Sequence, residues 1–147
     1  MERIGPFQFT GRIGRKTWWL NTLLYVAILI VTCGALIFAA IVLDAKDNTV
    51  LTVALAMLMI AVLLVLTVGI ISIGVRRLHD RGMIGWWLFL YYAPLFAGMK
   101  YGISSIAEIV VTIIFAAIGI WGVIDLGFRR GTPGPNMFGP DPLVKLQ

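Results

Sequence analysis

The chain has 147 residues, of which 60% are apolar and 13% charged, with a formal net charge of +5. Soluble domains average roughly 45–50% apolar and about 25% charged residues, so this composition excludes an ordinary cytosolic enzyme and an intrinsically disordered chain, and indicates a polytopic membrane protein. A single cysteine, Cys33, and a single histidine, His79, exclude an intramolecular disulfide, a cysteine-built zinc or iron–sulfur centre and the usual multi-histidine metal and haem sites, so no cofactor is expected.

Residues 1–16 interleave Phe7, Phe9 and Ile13 with Arg12, Arg15 and Lys16. This is the pattern of an interfacial segment, followed by Trp18 and Trp19 at the headgroup level where indole rings settle. It does not read as a cleaved signal, because the apolar run that follows is far longer than the 7–15 residues of a signal core. Residues 17–43 and 50–75 carry no charge, and each exceeds the ~20 residues a spanning helix needs. They predict the first and second transmembrane helices, joined by a polar loop at 44–49. Arg76 and Arg77 stop the second apolar run, and 76–83 is predicted as a loop.

The third apolar run, from 84, carries Pro94 and meets Lys100. With the lysine snorkelling it reaches 103 and spans; the alternative is a re-entrant hairpin over 84–105. After a turn at 104–105, residues 106–127 predict the fourth span, and 128–147 a tail. Four spans place Arg3, Arg12, Arg15, Lys16, Arg76, Arg77, Arg81, Arg129, Arg130 and Lys145 on one side and only Lys46 and Lys100 on the other. The positive-inside rule then sets both termini in the cytoplasm, and this asymmetry favours four spans over three. The fold expected is an all-α integral membrane protein: a single domain of four transmembrane helices with an interfacial N-terminal segment and a Pro/Gly-rich cytoplasmic C-terminal cap.

Three polar segments fall on the cytoplasmic side. They are Phe7-Gln8-Phe9-Thr10-Gly11-Arg12-Ile13-Gly14-Arg15-Lys16-Thr17-Trp18-Trp19, Arg76-Arg77-Leu78-His79-Asp80-Arg81-Gly82-Met83-Ile84-Gly85-Trp86-Trp87, and Gly131-Thr132-Pro133-Gly134-Pro135-Asn136-Met137-Phe138-Gly139-Pro140-Asp141-Pro142. Together they resemble a bacterial inner-membrane family, domain of unknown function 805. Its pattern is G-R-x-x-R with tryptophan at the first helix, R-R-L-H-D with G-W-W, and G-x-x-G-x-N-x-F/Y-G-x-D-P. Gly14 and Ile84 stand where that family often has serine. The resemblance covers nearly the whole chain and implies a small multi-pass inner-membrane protein; it supplies no reaction.

In the second segment, helical continuation would set Arg76 and Asp80 at i,i+4, within pairing reach, with Gly82 ending the helix in a left-handed cap. Arg76, Arg77, Arg81, His79, Arg12 and Arg15 are the candidate contacts for anionic lipid or an acidic partner surface. The third segment, too rich in proline and glycine for a helix, is a series of turns. Its apolar residues Met137, Phe138 and Leu143 favour a folded cap against the basic face, with Asn136 or Asp141 bonded to the 76–85 segment. Asp80, Asn136, Asp141, Asp125 and Arg129 form the candidate structural network, the last two an i,i+4 pair. Glu108 and Asn21 are the candidate intramembrane polar site, since acids inside a membrane are functional suspects.

No soluble module, nucleophile–base motif or long basic stretch for nucleic acid is present. The function expected is therefore non-catalytic: a lipid-interacting accessory or scaffold subunit of a larger membrane assembly, or a homo-oligomer. The alternatives are a small oligomeric transporter or channel, and a lipid-headgroup enzyme using His79 and Asp80.

Overall fold

A computed structural model describes residues 7–43, 47–97 and 105–144. It is all-helical: α1 (Arg15–Val42), α2 (Thr49–Asp80), α3 (Trp87–Ala97) and α4 (Ile106–Gly127). Among the described residues the one β-type pairing is an isolated bridge between Asn136 and Gly139. Three helices, α1, α2 and α4, are long and apolar enough to cross a membrane. The 11 described residues of α3 reach only ~16 Å, and the segment 98–104, which would complete the predicted third span, lies outside the described residues.

Local chemistry sets the helix ends. α2 starts where the Asn48 side chain accepts a bond from the Leu51 N–H at 3.1 Å, and α4 where the Ser105 hydroxyl accepts from the Glu108 N–H at 3.3 Å; both are side-chain caps for otherwise orphan donors. At its far end α2 does not stop at Arg76, where the apolar run stops. It continues without a break through Asp80, so most of the predicted 76–83 loop is helix. The physical reason is that Arg76 to Asp80 contains no helix breaker. The first glycine after it, Gly82, takes φ +72 and turns the chain toward α3.

α1 packs along α2 and α3 along α4, with α4 also meeting α1 and α2. Small residues make the close approaches. A Cβ on Gly69 would lie 2.7 Å from the Tyr25 ring, one on Gly74 2.7 Å from Leu88, and one on Gly122 2.9 Å from Tyr91. The buried apolar core, including Trp18, Leu66, Ile73, Leu78, Leu88, Tyr91 and Leu126, gathers where the start of α1, the end of α2, the start of α3 and the end of α4 meet. Away from that end large apolar side chains are exposed, Val50 and Ile106 at 80% and 82%. Such a surface suits lipid and not water.

Candidate functional site

The tightly packed end of the bundle is also where the three polar segments converge. Extending α2 through Asp80 carries a carboxylate under the bundle, where it is 3% exposed. One oxygen accepts from Arg12 Nε at 3.1 Å and Nη2 at 3.0 Å; the other accepts from Arg77 Nη1. The i,i+3 partner Arg77 therefore pairs with Asp80, where the sequence suggested Arg76. A buried carboxylate between two buried guanidinium groups leaves one positive charge over, and backbone carbonyls absorb it. Arg12 donates through Nη1 to Gly134 O and through Nη2 to Thr132 O, both at 2.6 Å. Arg77 donates through Nε to Leu126 O at 2.6 Å and through Nη2 to Arg129 O.

The tail closes over this pair as a clasp. The Thr132 N–H and hydroxyl both donate to the carbonyl of Asp80, at 2.8 and 3.1 Å. Asn136 donates through Nδ2 to His79 O at 2.9 Å and to the Thr132 hydroxyl at 3.0 Å. Gly131 passes so near Asp80 that a Cβ would fall 2.1 Å from its carboxylate. The His79 ring stacks on Phe138, with centroids 3.9 Å apart and planes 2° from parallel. Its Nδ1 lies 3.2 Å from Gly11 O, and the carbonyl can only accept, so Nδ1 carries the proton. Asn136 thus meets the 76–85 segment as the sequence suggested. Asp141 does not: it accepts from the Gly134 and Leu143 N–H groups at 3.0 and 2.9 Å and pins the tail's own turns. Those bonds hold its carboxyl below the usual 3.8.

A second arrangement caps α4. Five consecutive carbonyls past and within its last turn each accept a side-chain donor: Leu126 and Arg129 from Arg77, Gly127 from Trp19 Nε1 at 3.1 Å, Phe128 from Arg15 Nη1 at 3.0 Å, and Arg130 from Arg81 Nη1. Cations at the negative end of a helix dipole are favourable. Beside it, Asp125, 1% exposed, accepts from Arg81 Nη2 and Arg129 Nη1 on one oxygen and from the Tyr91 hydroxyl on the other, each at 3.1 Å.

These placements divide the basic set. Arg12 and Arg77 are buried and bonded internally, so they are not surface contacts. Arg15 and Arg81 also serve α4's carbonyls but keep exposed or partly exposed edges. Arg76 is buried, its Nε turned to Ser72 O at 3.4 Å. Asn21 donates to Thr17 O at 2.7 Å within its own helix, near the clasp end. Glu108 lies in the first turn of α4, ~25 Å along that helix from Asp125. The two therefore do not share one site. The Arg12–Asp80 link, Thr132 and the run of capped carbonyls carried no sequence signal, since each joins positions about 50 to 120 residues apart.

The chain is 32% identical over 142 residues to the Uncharacterized protein YiiR of Escherichia coli (strain K12), which covers 92% of this chain and 86% of that one. It is 26% identical over 134 residues to the Inner membrane protein YhaI of the same strain, covering 91% and 85%. No solved structure matches it. The model of the family described as Protein of unknown function (DUF805) matches residues 6–140, a stretch that holds the whole clasp, and the chain belongs to that family.

Proposed function

We propose that this is a non-catalytic, four-span inner-membrane protein with both termini in the cytoplasm. It serves as a lipid-interacting accessory or scaffold subunit of a larger membrane assembly. One observation carries the reading: the side chains with chemical potential in the three motifs are engaged in holding the chain together. Asp80 accepts on both oxygens, and His79 is covered on one face by Phe138 and holds Gly11 through Nδ1. A general acid or base needs reach to a substrate proton, and this geometry instead clamps the N-terminal segment, α2, α4 and the tail into one rigid plate. Such a plate fixes the cytoplasmic ends of the helices while their apolar flanks stay open to lipid or a neighbour. The inner-membrane name of YhaI supports the location.

The test is isolation of the tagged full chain from its native membranes in a mild detergent. Recovery of a larger membrane protein in fixed stoichiometry is the expected result. A chain that emerges alone under every mild condition overturns the accessory reading.

A further inference from the structure

Between α3 and α4, beside the capped end of α4, lies a cleft of about 450 Å³, within the size range of ligand sites. Its wall changes character along its length. At one end stand Arg81, Arg129 and Asp125; from there α4 presents Trp121, Ile118 and Ala117, with Trp87 and Leu90 of α3 opposite. From Asp125 to Ala117 the helix covers ~12 Å. The cleft is therefore charged at the capped end of α4 and apolar toward the middle of that helix.

The charged end is not neutral. Two arginines face one carboxylate, so this end carries a net positive charge, only part of which is offset by the Arg130 carbonyl that accepts from Arg81 Nη1. Arg81 Nε is buried and has no hydrogen-bond partner among the described residues, a donor that is costly to leave unmet. Arg129 uses only Nη1 on Asp125 and lies with its Cζ 5.3 Å from the centre of the Trp121 ring, which holds the guanidinium over the mouth of the cleft. Asp125 itself is held by Tyr91 from the other side, so its position does not depend on the ligand.

We propose that this cleft binds one anionic phospholipid, its phosphate held by Arg81 and Arg129 and the first part of an acyl chain laid against Trp87, Leu90, Trp121 and Ala117. A net negative headgroup offsets the spare charge and supplies acceptors for the exposed edge of Arg129, while a zwitterionic headgroup brings its own cation against two arginines. The apolar wall selects a lipid over free phosphate, which has nothing to place there. Basic recesses between spanning helices recognise anionic headgroups by this same chemistry. The inference deepens the lipid-interacting part of the proposed function and rests on its membrane reading, not on the accessory role.

The experiment is native mass spectrometry of the full chain in mild detergent, titrated with phosphatidylglycerol or phosphatidylethanolamine. The expected result is one retained phosphatidylglycerol, favoured over phosphatidylethanolamine by about tenfold or more, the scale of one charge-assisted hydrogen bond. Arg129→Gln lowers that preference, and Ala117→Trp, which fills the apolar end at an exposed position, abolishes retention of either lipid. Arg130→Gln, outside the cleft, leaves it unchanged, and millimolar inorganic phosphate does not displace the lipid. Equal retention of the two lipids, or equal effects of Arg129→Gln and Arg130→Gln, overturns the site in favour of diffuse surface charge. A lipid-free dimer that Ala117→Trp dissociates assigns the cleft to a second copy and also overturns it. Loss of lipid selectivity with a partner still recovered from native membranes sinks this site alone, and selective binding without a partner leaves it standing.

Discussion

Asp80 is the residue on which the polar end of the molecule depends. Asp80→Asn keeps the shape but removes the negative charge between Arg12 and Arg77, whose side chains are 1% and 0% exposed. Breaking a buried ion pair by removing one partner typically costs about 3–5 kcal/mol. Thermal unfolding of the detergent-purified chain should show a loss of that order, and residues 131–141 should become open to protease. An unchanged melting point with a protected tail would mean that backbone bonds alone hold the clasp. Gly131→Ala should act on the same place for a different reason. Its Cβ would fall inside the Asp80 carboxylate, and relieving such an overlap typically costs about 1–3 kcal/mol. Asp141 gives a contrast in pH. Its pKa is held below 3.8 by two backbone donors, so its contribution to tail order is present above that value and fades as pH falls through the lowered one. Asp141→Ala should raise tail proteolysis equally at pH 7 and pH 5, and the difference from wild type should close only in stronger acid.

At the scale of the helix, the end of α4 shows how magnitude sorts the arginines. Arg77 and Arg15 both donate to its terminal carbonyls, yet Arg77 is fully buried and Arg15 exposed. Arg77→Met leaves one oxygen of the buried Asp80 carboxylate and the Leu126 carbonyl without their donor, with an expected loss of about 3 kcal/mol or more. Arg15→Gln surrenders one exposed bond, with an expected loss below about 1 kcal/mol. Comparable melting points for the two variants would remove the capping role assigned to Arg77. The helices themselves were legible because uncharged runs of this length have few other solutions. The end of α2 was misplaced because apolar runs report where the membrane ends and not where the helix ends. The glycines of α4 make close approaches to α3, Gly122 against Tyr91 and Gly119 against Pro94.

For the whole molecule, the clasp explains both what sequence reading reached and where it stopped. The three motifs were legible as separate polar islands, and the contact of the tail with the 76–85 segment was expected from apolar residues to bury and an acid, Asp141, facing a basic loop, although Asn136 and not Asp141 makes the bond. The identity of the partners was not legible, because Asp80 had three nearby arginines to choose from and took one of them together with Arg12, 68 positions away. The same clasp constrains topology. Arg12 is bonded to Thr132 and Gly134, so the N-terminal segment and the tail occupy the same end of the bundle, which the proposed four spans put on one side of the membrane. Ten of the twelve lysines and arginines belong to that side when four spans are counted, and the positive-inside rule assigns it to the cytoplasm. A reporter fused after Gln147 should therefore register in the cytoplasm and one inserted near Asp47 in the periplasm. Reporters that place Gln147 and Asp47 both in the periplasm would refute the four-span arrangement. Reporters that place Asp47 in the cytoplasm would reverse the whole protein against its own charge, leaving the ten basic residues to be explained by a partner rather than by the membrane.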